Sequence, residues 1–472
     1  MPAGSPAQRT HARLRRNELS VVDIAVSTMA NVGPAFSFYF GFAGIVAVSG
    51  IASPLTVLVA AVAIALLGNT LAGFSREMPS TGSFVSFIGR SMGPLAGVAA
   101  GVTIIIGYII AISGVVAASG QISHILFNDY LHVDISWKVF GLLFTAIALY
   151  LMITGVKTST RWAGIFFVVE MLVLLVVAAI LLIKHSGSLS LAPFNPANLT
   201  GGSKGLGLGF PLAVFLFVGW ENSAALAEET RQPRRDIPRA IFFSIGLMAV
   251  AYLVLSFASI VGFDQNPAAV AKADIPYIDL AKGVGGFVGF IAVVAGFTST
   301  LGVLIAASNS QARLLFNAGR EGLLPAVLGR VTRKGQTPWV AFVTFFAIGL
   351  AIVYAYGWNK DAVLVFAELA TMGTILIVLV YLVANIALPI YMFRRHRDRV
   401  HPIRHVLLPL LGAASLIYPI YALVQPGQEA PYKYFPLVAA AVLLVALVYA
   451  AVMTARDRSL GERIGSIIAD HD

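Results

Sequence analysis

Apolar runs of about 20 residues recur along this 472-residue chain, separated by short polar connections. Each run is long enough to cross roughly 30 Å of hydrocarbon as a helix rising 1.5 Å per residue. Twelve are read, near 20–48, 52–74, 94–123, 138–155, 162–184, 210–228, 240–262, 286–311, 338–356, 362–393, 405–424 and 434–454. The pattern predicts an all-α, multi-pass membrane protein. No continuous polar stripe marks a lined pore, which argues against a channel.

Two of the runs carry interruptions at matching places. The first reads STMANVGPAFSFYFGFAGIVAV, with Asn31, Gly33 and Pro34 together near its middle. Proline removes a backbone donor and clashes with the preceding turn, and glycine weakens a helix, so unwinding is expected there. The sixth run, FLFVGWENSAALAEET, places Gly219 centrally and follows it with the carboxylate of Glu221. Runs one and six are five crossings apart, an odd number, so two five-helix halves would traverse the membrane in opposite senses. Interrupted helices at corresponding positions of such an inverted repeat are the sequence pointer to a transporter binding site. Backbone groups bared by unwinding need partners that lipid cannot supply, and half-helix ends suit the charged groups of a small zwitterion or amine. For Glu221 two readings stand, a structural hydrogen bond within the broken helix and direct contact with substrate.

Composition agrees with membrane residence: 58% of residues are hydrophobic and 11% charged, with a mean hydropathy of +0.85. With the N-terminus inside, 25 of the 32 basic residues fall on inner segments, beginning with Arg9, Arg13, Arg15 and Arg16. All arginines are inside, and the outer seven, Lys138, Lys184, Lys204, Lys272, Lys282, Lys360 and Lys433, are all lysines. This bias predicts cytoplasmic termini and an inner, plasma-membrane location in a bacterium. It also explains the net charge of +10 without nucleic acid, because the charge is spread over short loops at one face. The absence of cysteine excludes disulfides, thiolate metal sites and cysteine nucleophiles. The basic N-terminal stretch runs into an apolar segment too long for a signal-peptide core, so an uncleaved first helix is expected.

Glu170 lies in FFVVEMLVLL, about 12 Å along the fifth run from its inner end. An ionised carboxyl at that depth is costly, which suits Glu170 to carry a proton; pairing with a backbone group or a residue of helix one is the other reading. Asp23, early in the first run, suits the positive end of a helix dipole and a place at an inner gate. Tyr108 on helix three is a further candidate for lining the site. Glu368 on helix ten is notable as a charge, near the outer end. No nucleotide-binding phosphate loop and no His-carboxylate or metal-ligand constellation is present, so neither ATP-driven transport nor enzymatic activity is expected, and no cofactor or metal.

Three stretches carry a family resemblance. ENSAALAEETRQPRRDIPRAI resembles the Ala-Glu-Glu-x-x-x-x-Pro-x-x-x-Ile-Pro pattern of the amino acid-polyamine-organocation transporter superfamily. REMPSTGSFVSFIGRSMGPLAG resembles that family's stretch between helices two and three, and SNSQARLLFNAGREGLLP the end of its eighth helix. The resemblance implies a LeuT-like core of two inverted five-helix repeats over 20–393, flanked by cytoplasmic segments 1–19 and 455–472 and by two C-terminal helices over 394–454. It implies a central site between helices one, three, six, eight and ten. Family roles fall on Asn31, Val32, Gly33, Pro34, Ala35 and Phe36 in the first break and on Phe217, Val218, Gly219, Trp220 and Glu221 in the second, with Phe215 near a substrate-covering aromatic. Glu170 stands near the place of a coupling lysine in some proton-driven members. Many members carry Gly-x-Gly-Ile-Phe in helix one, whereas this chain has Asn31-Val32-Gly33-Pro34-Ala35-Phe36. With the Pro34 amide absent, the Gly33 and Ala35 N–H groups remain as donors for a substrate carboxylate. Sodium-coupled relatives place a hydroxyl pair on helix eight, where Leu301 and Gly302 stand here, with Thr298, Ser299 and Thr300 close by. The expected function is secondary transport of amino acids or related amines, with protons as the coupling ion. An amine exchanger or a membrane nutrient sensor is the alternative.

Overall fold

The computed structural model describes residues 19–80, 82–154, 160–227, 230–320, 322–332, 337–425 and 428–457. Hydrocarbon offers no partner to a backbone N–H or C=O, and a helix satisfies both internally, so the apolar runs coil. The first run folds as α1 (Val21–Val32) and α2 (Pro34–Ser49). A short 3-10 turn then leads into α3 (Ser53–Glu77). Next come α4 (Ser83–Met92), α5 (Pro94–Leu131), α6 (Trp137–Thr154) and α7 (Thr160–Lys184). The sixth run yields α8 (Ser203–Phe215) and the single turn α9 (Asn222–Ala225). The chain continues through α10 (Pro233–Gly262), α11 (Pro267–Lys272), α12 (Pro276–Val284) and α13 (Gly286–Arg320). It ends with α14 (Trp339–Gly357), α15 (Ala362–Arg395), α16 (Leu408–Val424) and α17 (Phe435–Arg456).

Among the described residues ten stretches are long and apolar enough to cross a membrane, the first of them the 44-residue Pro34–Glu77. The protein is an integral multi-pass membrane protein. Helices run past several of the apolar limits, α5 to Leu131 and α13 to Arg320, because coiling continues beyond the hydrocarbon wherever backbone geometry allows. The sixth run differs most, since its helix begins at Ser203 and stops at Phe215. The short helix α4 has no counterpart among the twelve runs; its Phe84 and Phe87 are buried.

The helices sort by burial. The most apolar window of α15 is 83% buried, against 22% for that of Tyr432–Arg456. So α15 is a core element and α17 a peripheral one, turning Leu444, Val445, Leu447 and Val448 outward. Small residues let α5 and α15 approach closely, as is usual where membrane helices pack. A Cβ on Gly373 would lie 2.6 Å from the Gly107 carbonyl oxygen and 2.7 Å from the Ala111 nitrogen.

At the amino end of the first run, Ser20 caps α1: its N–H donates to Asp23 Oδ2 at 2.9 Å, and the Asp23 N–H donates back to Ser20 Oγ. Leu19 forms an isolated parallel bridge with Thr230, and the Arg231 N–H donates to the Leu19 carbonyl at 3.3 Å. The entrance to the first run is thereby tied to the chain that leaves the sixth.

Both expected interruptions are present. α1 stops at Val32 because Gly33 is left-handed, with φ 60° and ψ 77°, and Pro34 then starts α2 with its fixed φ. In the sixth run, residues 216–221 form successive turns between α8 and α9, with Gly219 at φ +111°. A side chain at Gly33 would face both an unfavourable backbone region and a Cβ only 2.0 Å from Val303 Cγ2. Gly33→Ala is therefore expected to cost about 2–5 kcal/mol, read as a lower melting temperature of the purified protein in detergent. Gly302→Ala, inside α13 with nothing within 4 Å of its Cβ position, is the control: no loss, or a gain of up to about 1 kcal/mol.

Candidate functional site

The two interruptions meet. A Cβ on Gly219 would lie 3.3 Å from the Val32 nitrogen and 3.4 Å from the Asn31 carbonyl carbon and oxygen. The backbone of one broken run thus rests directly on that of the other, an approach that a side chain would obstruct. The two runs are also tied by Thr28 and Ser223, whose hydroxyls lie 2.9 Å apart.

The amino end of α2 presents donors that an α-helix cannot satisfy internally. Each is taken. The Gly33 N–H donates to the Met29 carbonyl at 3.2 Å, and Pro34 has none. The Ala35 N–H donates to Glu170 Oε1 from α7. The Phe36 N–H donates to Ser299 Oγ from α13 at 3.1 Å, and the Ser299 hydroxyl donates in turn to the same Glu170 oxygen at 2.8 Å. The Ser37 N–H closes the first regular bond, to the Gly33 carbonyl at 2.9 Å, while its hydroxyl donates to the Val32 carbonyl at 2.7 Å. A carboxylate at a helix amino terminus is favoured by both the bared donors and the dipole. Here it comes from the protein, so the Gly33 and Ala35 amides expected to stay available for a substrate are already used.

The second interruption holds its own carboxylate. Glu221 accepts from the Gly219 N–H at 3.0 Å through Oε2 and from the Tyr108 hydroxyl of α5 through Oε1. Its neighbour Trp220 packs against Tyr381 of α15 and Phe84 of α4, with ring centroids 5.9 and 6.2 Å away. Phe36, Phe215 and Phe366 form a second aromatic group at centroid distances of 5.3–6.1 Å. Phe217 points elsewhere, onto Tyr252 of α10 at 5.3 Å.

The crossing is closed to solvent. Asn31 and Tyr108 are each 4% exposed, Glu170 6% and Glu221 8%. The Asn31 Oδ1 has no hydrogen-bond partner among the described residues. Two cavities lie away from the crossing, at arginine-rich helix ends: one of about 520 Å³ lined by Arg76, Arg234, Arg235 and Arg239, the other of about 310 Å³ beside Arg90, Arg394 and Arg395. Their lining includes none of the site residues.

The structure brings together Asn31, Val32 and Gly219, then Ala35 with Glu170, Phe36 with Phe215, and Tyr108 with Glu221. Asp23 stays at the amino end of α1 in its cap. Glu368 pairs with Lys360 at 2.7 Å and with the Tyr356 hydroxyl at 2.8 Å. Thr298 and Thr300 donate to carbonyls of their own helix, at 3.0 and 2.5 Å. Glu228 and Glu229 of the Ala-Glu-Glu motif, and Arg9, Arg13, Arg15 and Arg16, lie outside the described residues. Sequence reading did not assign Ser299 to Glu170, nor did it find Phe84, Phe366 or Tyr381. Of these only Ser299 carried a local signal, as one of a hydroxyl-bearing trio.

Comparison with known proteins gives the family. The chain is similar to the branched-chain amino acid permease BcaP of Bacillus subtilis, at 27% identity over 69% of this chain and 72% of that one. It is 26% identical to the methylthioribose transporter of the same organism over 82% and 84% of the two chains. It is 28% identical to the polyamine transporter RMV1 of Arabidopsis thaliana over 61% and 57%. The model of the amino acid permease family matches residues 17–448, and with nearly the whole chain inside that match, the protein belongs to the amino acid permease family, within the amino acid-polyamine-organocation superfamily.

Proposed function

We propose that this permease is a secondary transporter that moves amino acids or related amines by alternating access around the two interrupted runs, with protons as the coupling ion. The observation that carries the reading is the contact of Gly219 with the Asn31–Val32 backbone, which sets two broken helices against each other at a buried, polar crossing. Interrupted helices with charged groups at their ends are the membrane solution for binding a small polar solute at mid-depth. The relatives, permeases and transporters of amino acids, methylthioribose and polyamines, support the same class.

Twelve crossings fit the chain. The 44 residues of Pro34–Glu77 would extend about 66 Å as one helix, roughly twice the hydrocarbon thickness. Taken as two crossings, with α8 through α9 as a further interrupted one, the ten stretches become twelve. The first and sixth are then the broken pair, which supports two inverted five-helix repeats followed by two more helices.

Glu170 is the coupling group in this reading. As an anion it pins the amino end of α2 through Ala35 and Ser299; as a neutral acid it holds that end less tightly. Proton uptake therefore loosens α2 relative to α7 and α13 and permits rotation about Gly33. Glu221 and Tyr108 face the substrate. Asp23, at the capped inner end of α1, belongs to the cytoplasmic gate.

Reconstitution into liposomes tests this. Uptake of labelled amino acids or amines is expected to follow an imposed pH gradient and to ignore a sodium gradient. Glu170→Gln is expected to abolish accumulation above equilibration while leaving substrate counterflow; gradient-driven accumulation in that variant would rule out the coupling role. Binding without flux in the unmodified protein would favour a sensor.

Orientation has its own test. Because the chain has no cysteine, single cysteines can be introduced at the exposed positions Arg397 and Lys204. With cytoplasmic termini, an impermeant thiol reagent applied to intact bacterial spheroplasts labels Lys204→Cys and spares Arg397→Cys; the reverse pattern would invert the topology.

A further inference from the structure

We infer that the arginine-lined cavity between α3 and α10 is a binding site for the phosphate of an anionic phospholipid, whose acyl chains lie along the outward face of α10. The site is remote from the crossing, and its occupancy can be measured whether or not the transport reading holds.

Four guanidinium groups converge there. Arg76, at the end of α3, and Arg234, Arg235 and Arg239, at the start of α10, line a cavity of about 520 Å³ together with Pro238 and Phe242. Arg235 and Arg239 are exposed and Arg76 is partly buried. Among the described residues these three form no ion pair. The carboxylates nearest in sequence, Glu77 and Asp236, are not part of the lining, and Glu77 lies 3.9 Å from His396 instead. A cluster of cations with no carboxylate in its lining calls for an anion, and a planar guanidinium presents paired donors that match the oxygens of a phosphate. The cavity also sits at the start of a 30-residue helix, where the dipole favours negative charge.

The rest of the lining makes that anion a lipid. One wall, Pro238 and Phe242, is apolar, and Phe242 is 41% exposed. Phe243, Gly246, Leu247 and Val250 continue the same face of α10 at helical spacing, and all are exposed. Nothing lies within 4 Å of a Cβ placed on Gly246, so this face carries a notch in which a hydrocarbon chain can lie. Beneath the cavity the two helices pack closely: a Cβ on Gly68 of α3 would lie 2.7 Å from Ile245 Cδ1 and 3.8 Å from Phe242 Cε1. That approach lets arginines from both helices reach a common point. Along α10, one of the stretches apolar enough to cross the membrane, charge gives way to bare hydrocarbon-facing surface, the same order as a headgroup phosphate followed by its acyl chains. A free phosphate would use the arginines and leave the apolar wall without a role. Basic pockets between membrane helices are the arrangement that recognises anionic headgroups.

Lipid titration tests this, using the purified, delipidated full-length protein in detergent. Dioleoyl phosphatidylglycerol, the zwitterionic dioleoyl phosphatidylcholine and inorganic phosphate are added separately and in competition, and bound lipid is counted by native mass spectrometry. Phosphatidylglycerol is expected to bind in preference to phosphatidylcholine by about 10-fold or more, and millimolar inorganic phosphate is expected not to displace it. Arg235→Gln combined with Arg239→Gln is expected to weaken that binding by about 10- to 30-fold, the scale of two arginines near an anionic headgroup. Arg330→Gln combined with Arg456→Gln removes the same charge from exposed positions outside the cavity and is expected to leave binding unchanged. No bound phosphatidylglycerol, equal binding of the two lipids, displacement by inorganic phosphate, or equal weakening by the two double variants would each overturn the lipid site. The comparison of the two lipids needs no variant, so it decides even if a variant fails to fold. None of these outcomes bears on transport, so the lipid site and the transporter reading fail separately.

Discussion

Backbone amides in hydrocarbon have no solvent to turn to, and the centre of this molecule is organised around that constraint. An unsatisfied buried N–H costs about 1–3 kcal/mol, so a chain that breaks two membrane helices has to find partners for the groups it bares. At the first break Glu170 and Ser299 supply them, from helices more than 120 positions away in sequence. At the second, Glu221 folds back onto the Gly219 amide. Each interruption is thus stabilised by a carboxylate, and the two are pressed together by the absence of a side chain at Gly219.

The two carboxylates do different work because their neighbours differ. Glu170 is fixed by a hydroxyl and a helix end, with both donors converging on one oxygen. Its charge and the helix dipole reinforce each other. Glu221 stands among tyrosine and tryptophan rings and accepts from the Tyr108 hydroxyl and the Gly219 amide. The first is a latch on the protein's own backbone; in the reading proposed above it supplies the response to protons, and the second the recognition of substrate.

Much of this was legible in the sequence where a residue type dictates local geometry. Gly33-Pro34 announced its break, since proline cannot donate and glycine tolerates the left-handed region that follows Val32. Gly219 announced the second less loudly, and the apolar count there ran on to residue 228 where the helix stops at Phe215. A lone carboxyl in FFVVEMLVLL marked Glu170 as needing a partner, but not which one. Tertiary partners stayed hidden because a membrane helix is apolar on its lipid face and on its packed face alike. Composition therefore does not say that Phe366 and Tyr381 of α15 look inward, or that Ser299 rather than Thr298 or Thr300 meets Glu170. The short α4, polar enough to escape an apolar count, escaped for the same reason that it could bring Phe84 under Trp220.

The tie between Thr28 and Ser223, with the Leu19–Thr230 bridge below it, constrains how the molecule can rock. These links join the amino-terminal half of the first run to the carboxy-terminal end of the sixth. A swing of α1 by itself would have to sever them, whereas a swing of both halves as one lever keeps them whole. Gly219 rests on the Asn31–Val32 backbone, immediately before the left-handed Gly33, so the two interruptions are in direct contact.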